Sequence, residues 1–566
     1  MTAKETDDTA DGVVASRALA DLLVAAEPQG SRRLGELIER LEAEGRLRIV
    51  RPPESGPAPT GKAPGLGMVG SLDVRGIAFD SRSVDPGALF VAIPGDHVDG
   101  HAFVSDAVGM GAVAAIVETA VDGVVVPQIV VDRSRAALAS AAAWWYGDPT
   151  RELGIVGITG TDGKTTTAFL ASAVLEAAGI STGQLTTAQT KVGQLRSANS
   201  EHVTTPQAPQ LQRALRAMVQ AGNKAAVVET TSHGLALERV AGIAYDIAVF
   251  TNLTHEHLEL HGTFEAYRDA KLSLFRRLGA DLSRRERLAR RWPRAAIVNH
   301  DDSSASLFEA AGLASGASLL TYGLSVGAQV RASDVEEDTR QLKFEVRTPR
   351  WSGAVTLQLA GRFNVYNALA AIALGEALEL PPRSIRAGLA GVRGVPGRME
   401  RVDCGQPFAV IVDYAHSPAS LQTVLDQMRP LAARGDGSLI LVFGSAGERD
   451  LQKRPMMGRV AGERCRLVVV TDEDPRGEDR DGILNEIAAG AEGAGKRRGE
   501  DLLCIPDRAE AISVAFERAR PGDVVILAGK GHEQSIIMSD GPRPWDERAE
   551  AIRALANLGY QRDDRQ

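Results

Sequence analysis

The stretch GITGTDGKTTT, Gly157 to Thr167, places two glycines, a lysine and a run of threonines at a spacing suited to phosphate. A strand-like apolar run, Leu153 to Ile158, precedes it and a helical run, AFLASAVLEAAG, follows, so Gly160 and Gly163 fall at a strand-to-helix turn. There glycines let successive backbone N–H groups face an oxyanion, and the helix adds the positive end of its dipole. Thr161, Asp162 and Thr166 complete the loop; Lys164 is placed to reach β/γ-phosphates and Thr165 to hold Mg²⁺. The spacing is the shorter G-x-x-G-K-T, because Ile158 stands where the first glycine of G-x-x-x-x-G-K-T belongs. The plainer reading is an ordinary strand–turn–helix connection with a surface lysine. The Lys-Thr pair and the flanking elements favour the phosphate loop.

Other chemistry-bearing residues gather where strands end. KAAVVET, Lys224 to Thr230, reads as a buried parallel strand ending in Glu229, a carboxylate placed to complete a Mg²⁺ site beside a phosphate loop. IAVFTNLTHEHLELHG gives a strand ending near Asn252 and a turn carrying His255, Glu256, His257, Glu259 and His261. Zinc is one reading of that turn, but it has no H-E-x-x-H spacing, and oxygen-rich Mg²⁺ chemistry with one imidazole suits the loop better. A histidine-rich turn without metal is the third reading. Asn364 and Asn367 share one side of a helix entered through Gly361, suited to an adenine edge or to a helix-start cap. Towards the C-terminus, PFAVIVDYA, SLILVFG, RLVVVTDED and GDVVILAG imply a second open parallel sheet. Its strand ends carry Asp413 and His416, then SAGERDLQKRP, then Glu473-Asp474-Pro475-Arg476, then GKGHE at Gly529 to Glu533. Ligands bind at such ends.

The elements that must position these residues are read from a chain of 566 residues, enough for three or four domains. Hydrophobic residues make up 44% and charged ones 24%, an ordinary globular balance. Net charge is −9, and no basic stripe interleaved with aromatics is present, so nucleic-acid binding is not expected. The basic run Arg284 to Arg294 reads as a solvated helix face with Arg/Glu pairs. No apolar run reaches the length of a membrane span, and MTAKETDDTADG lacks the basic and apolar regions of a secretory signal, so a cytoplasmic protein is expected. Cys404, Cys465 and Cys504 read as buried hydrophobes. Residues 1–70 contain an amphipathic helix with Leu34, Leu37, Ile38 and Leu41, and end in the Pro/Gly-rich RPPESGPAPTGKAPGLG, a linker or loop. The units expected are this extension, a small α/β unit at 71–150, a loop-bearing domain at 151–395 and a Rossmann-like domain at 396–566. Within the small unit Asp80-Ser81-Arg82 and Asp99-Gly100-His101 are each turn chemistry by themselves and together make a pocket plausible.

Taken together and in order, these motifs resemble the Mur ligases over residues 74 to 550. The resemblance implies an α/β fold of three domains: a small UDP-binding domain, a central P-loop ATPase with a parallel sheet, and a C-terminal Rossmann-like domain. It also implies an ATP-dependent ligase that joins a diamino acid to UDP-N-acetylmuramoyl-L-alanyl-D-glutamate in peptidoglycan precursor synthesis. By resemblance Ser81, Asp96, His97 and Val98 face the uridine end, and Thr204, Thr205, Thr231 and Arg239 face the muramoyl-dipeptide. Gly160 to Thr166, Asn252, Asn364, Arg398 and Asp413 face ATP. Glu229, His257 and Thr165 are implied Mg²⁺ ligands, joined by Lys271 of YRDAKLSLF as a carbamate; side-chain chemistry alone makes Lys271 a surface lysine. The implied catalytic set is Lys164, Glu229, His257 and Lys271. Arg449, Glu473, Asp474, Pro475, Arg476, Gly529 and Glu533 are implied to hold the amino acid.

The sequence departs from the family pattern in places. Gln207 stands where an acidic residue is usual, Thr231 replaces a serine, and Leu237 occupies a substrate glutamine position. Asp474 replaces an asparagine of the diaminopimelate-type motif. Its charge favours a plain ammonium, as in lysine or ornithine, or else pairs with Arg476, whose guanidinium suits the second carboxylate of meso-diaminopimelate. Diaminopimelate is the expected acceptor, closely followed by L-lysine or L-ornithine, in a protein acting as a monomer. A folylpolyglutamate-synthase-like ligase, which would lack the DSR-containing unit, and a non-catalytic ATP-binding regulator are the alternatives.

Overall fold

A computed structural model of the chain describes residues 16–53, 66–95, 98–199, 204–254, 258–279, 292–338 and 341–561. Three sheets follow one another along it, of five, eleven and six strands. The first has β1 (Leu47–Arg51), β2 (Gly76–Ala78), β3 (Ala88–Val91), β4 (Ala114–Val117) and β5 (Gln128–Val131), in the order β1-β5-β4-β3-β2. β2 to β5 are parallel, while β1 is an antiparallel edge on β5. The helices α1 (Leu34–Ala43) and α2 (Ser134–Trp145) cover it, with Leu34, Leu37 and Leu41 buried and Ile38 packed beside them.

This adds something the linear reading placed elsewhere. α1 and β1 precede the Pro/Gly-rich stretch, yet they belong to the first layer. The short edge strand LRIVR alternates too weakly to stand out, and pairing with β5 supplies what its own pattern lacks. Further upstream, helical residues 16–25 reach past this layer to the next. Leu19 packs with Leu185, Leu211 and Leu215, Glu27 accepts from the Tyr146 hydroxyl (2.8 Å), and Arg213 pairs with Glu27 (3.2 Å).

The central sheet contains β6 (Gly154–Thr159), β7 (Thr182–Leu185), β8 (Gln189–Val192), β9 (Leu195–Ala198), β10 (Ala225–Glu229), β11 (Ile247–Phe250), β12 (Ala295–Asn299), β13 (Ser318–Gly323), β14 (Val330–Glu337), β15 (Leu342–Arg347) and β16 (Ser352–Leu357). Its order is β9-β8-β7-β10-β6-β11-β12-β13-β14-β15-β16. The strands from β7 to β14 in that order are parallel and the two ends antiparallel. β6, β10 and β11 are buried throughout, which is why they read as unbroken apolar runs. Helices α3 (Lys164–Ala177), α4 (Ala208–Gln220), α5 (Phe264–Arg276) and α6 (Phe363–Ala377) flank the sheet. α6 packs on α3 in one apolar cluster that includes Ala168, Ala171, Leu369 and Ile372.

The last sheet orders β17 (Glu400–Val402), β18 (Ala409–Asp413), β19 (Leu439–Phe443), β20 (Leu467–Val470), β21 (Leu502–Cys504) and β22 (Val524–Ala528) as β17-β18-β22-β19-β20-β21, all parallel except β17. A hairpin of β23 (Ser535–Met538) and β24 (Gly541–Pro544) follows. The three cysteines are free, Cys404 and Cys465 buried and Cys504 partly so. No helix among the described residues is long and apolar enough to cross a membrane. Most of the basic run Arg284 to Arg294 lies outside the described residues.

Candidate functional site

The loop between β6 and α3 is shaped largely by hydrogen bonds to its backbone. Gly160 and Gly163 have φ of +151° and +79°. A Cβ at Gly160 would lie 1.8 Å from the Thr251 hydroxyl, and one at Gly163 would lie 2.3 Å from Asn367 Oδ1, so both positions exclude side chains. Asn252 grips Asp162 twice, accepting from its N–H (2.9 Å) and donating to its carbonyl (3.1 Å). Asn367 accepts from the Thr167 hydroxyl (3.2 Å) and donates to Asn364 Oδ1 (2.8 Å), while Asn364 donates to the Ala360 carbonyl (2.6 Å). Both asparagines are buried and hold α6 against the loop. The Lys164 ammonium donates to the Thr161 carbonyl (2.7 Å), and the Thr161 hydroxyl lies 3.0 Å from that of Tyr267.

Lys271 corrects the plain reading of its sequence. It is not a surface lysine: it is 1% exposed, donates to the Gly160 carbonyl (2.7 Å) and lies 4.4 Å from the Tyr267 ring centroid. α5 carries Tyr267, Lys271, Leu274 and Phe275 at helical spacing, so the lysine shares the buried face.

Glu229, at the end of β10, is 2% exposed and accepts from the Thr165 hydroxyl (3.0 Å) and from the Thr187 N–H (3.0 Å) and hydroxyl (3.1 Å). The Thr187 hydroxyl also lies 2.9 Å from that of Thr204. Thr205 donates to the Glu229 carbonyl (3.2 Å), its hydroxyl lies 2.9 Å from that of Thr231, and Arg239 donates to its carbonyl (2.8 Å). The four threonine and arginine positions inferred for the dipeptide therefore surround one strand end. Burial, and then the like charge of Arg135 on α2, lower the Arg239 pKa. Thr187 and Arg135 were not singled out by the linear reading; neither lies in a recognisable motif.

The third layer reaches this strand end. Arg398 donates to the Thr165 hydroxyl (3.4 Å) and stacks 4.7 Å from the Tyr414 ring centroid. Asp413, ending β18, accepts from the N–H groups of Met399 (2.8 Å) and Ala415 (2.9 Å), and burial raises its pKa. His532 lies 4.9 Å from Tyr414 and reaches the Thr187 backbone; burial and then Arg398 push its pKa down to about 3.

At the C-terminal strand ends the polar groups pair with one another. Glu473 is buried, its Oε2 without a hydrogen-bond partner among the described residues and beside Gly529, where a Cβ would lie 3.1 Å away and φ is +101°. Gly447 N–H donates to the Asp474 carbonyl (2.8 Å), which sets the loop bearing the exposed Arg449 against Asp474 and Pro475. Asp474 does not pair with Arg476. It pairs with Lys530 (2.8 Å), which also holds Glu533 (2.5 Å), and the Arg476 guanidinium keeps a buried Nε with no partner among the described residues. Lys530 sits inside GKGHE, where the glycines and Glu533 drew attention first. Arg508 was also missed: fully buried against Glu547 (2.6 Å), it donates to the carbonyls of Asp472 (3.0 Å) and Ala528 (2.7 Å), which precede Glu473 and Gly529.

In the first layer Asp80 and Asp99 close local turns, accepting from Arg82 N–H (3.0 Å) and His101 N–H (2.9 Å). Ser81 is half-buried and Val98 exposed. Asp96, His97 and His257 lie outside the described residues, as do His255 and Glu256.

Comparison with known proteins agrees with this order of layers. Residues 73–146 match the Mur ligase family catalytic domain, 158–375 the Mur ligase middle domain, and 397–531 the Mur ligase glutamate ligase domain. A UDP-N-acetylmuramyl-tripeptide synthetase of Roseiflexus sp. is 51% identical over 492 residues, 86% of this chain and 96% of that protein. A UDP-N-acetylmuramoyl-L-alanyl-D-glutamate--2,6-diaminopimelate ligase of Geobacillus thermodenitrificans is 42% identical over 486 residues, 86% of this chain and 96% of its own length. A solved structure of a ligase of the latter name shares 29% identity and a TM-score of 0.59, over 86% of this chain and 96% of that one. The matched domains and these relatives define the class of the chain as an ATP-dependent ligase. The chain belongs to the Mur ligase family.

Proposed function

We propose that this chain is the ligase that joins a diamino acid to the D-Glu side-chain carboxylate of UDP-N-acetylmuramoyl-L-alanyl-D-glutamate at the expense of ATP, in cytoplasmic peptidoglycan precursor synthesis. Meso-2,6-diaminopimelate is the preferred acceptor, ahead of L-lysine and L-ornithine. The observation that carries this reading is the convergence of Thr165, Glu229 and Arg398, from three parts of the chain, at the mouth of the loop. The names of relatives that cover most of its length support the acceptor.

In this reading the loop N–H groups, Lys164 and Arg398 neutralise the phosphates, and Asn252, Asn364 and Asp413 shape the nucleotide's place. Ser81 and Val98, with Asp96 and His97, face the uridine end; Thr204, Thr205, Thr231 and Arg239 face the dipeptide. The γ-phosphoryl group passes to the carboxylate, two anions that would repel each other without these cations. The amine then attacks the acyl phosphate, the oxyanion collapses and phosphate leaves. No protein nucleophile is needed, so the work is positional and electrostatic.

The Thr165 hydroxyl and Glu229 carboxylate are adjacent oxygen donors, a set that suits a hard cation such as Mg²⁺. His257 would add an imidazole. Mg²⁺ bound there would supply further neutralisation of phosphate charge. Lys271 in its ammonium form is a donor to Gly160 and no ligand; as a carbamate it would become an acceptor. The chain is read as acting as a monomer. The test is turnover with the muramoyl-dipeptide, ATP and each of meso-diaminopimelate, L-lysine and L-ornithine. ADP release that requires the dipeptide and is fastest with diaminopimelate is expected; release indifferent to the dipeptide would sink the reading.

A further inference from the structure

Lys530, between the two glycines of GKGHE, is 0% exposed. Its ammonium donates to Asp474 Oδ1 (2.8 Å) and to Glu533 Oε2 (2.5 Å). Burial alone would lower its pKa, but the charges of Glu533 and Asp474 outweigh burial and raise it, so the group stays protonated. Asp474 Oδ1 accepts a second bond, from the Ile537 N–H on β23 (2.9 Å), and the Ile537 carbonyl accepts from the Arg476 N–H (2.9 Å). Arg476 has φ of +55°, a left-handed conformation that a non-glycine residue keeps only when its surroundings hold it. On the other side Glu533 accepts from the Tyr414 hydroxyl (3.1 Å). One buried ammonium thus anchors the hairpin that holds Arg476 and the carboxylate that meets Tyr414.

We propose that Lys530 is a positioning residue that decides which diamino acid is accepted: it neutralises Asp474 and anchors the β23 hairpin, so that the Arg476 guanidinium selects a carboxylate over a bare ammonium. The inference rests on the amide-ligase reading above. With Asp474 committed to Lys530, the positive charge of Arg476 is left without a carboxylate partner among the described residues. That charge pairs bidentately with the second carboxylate of diaminopimelate and repels the terminal ammonium of lysine or ornithine. Without Lys530, Asp474 is left to neutralise Arg476 or to attract an ammonium itself, and the preference should collapse.

The full chain is assayed with saturating ATP and muramoyl-dipeptide while meso-diaminopimelate, L-lysine and L-ornithine are varied, in wild type, Lys530→Met and Asp474→Asn. Lys530→Met is expected to raise KM for diaminopimelate by at least about tenfold and to narrow its advantage over lysine similarly, with KM for ATP held within about twofold. Asp474→Asn, which keeps an oxygen for the Ile537 N–H, is expected to lower turnover and keep the order of preference. An unchanged diaminopimelate KM in folded Lys530→Met overturns the inference. If that variant does not fold, a reversed preference in Asp474→Asn overturns it instead, because Asp474 then meets the substrate. A wild type that prefers lysine or ornithine also overturns it while leaving the ligase reading intact. A wild type that accepts none of the three overturns both.

Discussion

The loop after β6 and the strand ends around Lys530 both gather polar residues in buried surroundings, yet they are built on different principles. At the loop, Asn252, Thr251 and Lys271 bond to backbone groups and Asn367 to the Thr167 hydroxyl, so the chain's shape is held by directional contacts from three elements, the segment after β11, α5 and α6. In the proposed reading the loop N–H groups at the helix start are thereby presented to a phosphate. At the strand ends, Lys530 with Asp474 and Glu533, and Arg508 with Glu547, satisfy charge with charge. In that reading the loop receives a highly charged nucleotide and is shaped mainly by contacts to its backbone, whereas the strand ends that would take the amino acid cancel most of their charge internally and leave Glu473 and Arg476 as the remainder. The first should fail locally when altered, and the second should lose stability.

The largest effect should come from removing the loop's single ammonium. Lys164→Ala is expected to reduce ATP turnover by about a thousandfold or more, with the melting temperature little changed, as read by ADP release and circular dichroism. Near-normal ADP release would break the comparison at its first term. At the other site Arg508→Leu leaves Glu547 as an uncompensated buried charge and should cost about 3–5 kcal/mol of stability in denaturant unfolding. A stable Arg508→Leu variant with normal unfolding would show that the ion pairs there are not structural. A smaller effect is expected for Asn252→Ala, which removes both bonds to Asp162: KM for ATP should rise roughly tenfold while KM for the amino acid stays put.

An effect that is small near neutral pH sharpens the boundary between the two regions. His532 is neutral when folded because its pKa is depressed to about 3, while in the unfolded chain it titrates near 6.5. Between those values the unfolded state binds a proton that the folded state refuses. This contribution to stability is therefore present above about pH 6.5 and declines as the pH falls towards about 3, by at most about 1.4 kcal/mol per pH unit. His532→Gln should flatten that part of the stability-versus-pH curve, measured by urea unfolding. An unaltered slope would show that the imidazole is not held against Tyr414 and Thr187.

Some of this was legible without a structure. Gly160, Gly163, Lys164 and Glu229 were readable because their roles are local: a glycine-rich turn between strand and helix, and a carboxylate at the end of a buried strand. The parallel sheets were legible for the same reason, since β6, β10 and β22 are apolar at nearly every position. Lys271 was not, because whether a lysine on an amphipathic helix faces solvent or the sheet depends on what packs against it. Nor was the partner of Asp474. The motif shows a negative charge beside an arginine, and the nearer cation in sequence is not the one that meets it.

The sequence by itself determined the order of the sheets and the glycine-rich turn, because these follow from hydrophobic period, turn residues and short-range spacing, and the resemblance of its motifs in order gave the family. Tertiary structure decided which charges cancel and which remain. That choice is made by through-space distances of a few ångströms between Asp474 and Lys530, or Thr165 and Arg398, whose separation along the chain carries no information about their approach. It also decided that β1 belongs to the first sheet, since an edge strand draws its stability from the neighbour it pairs with.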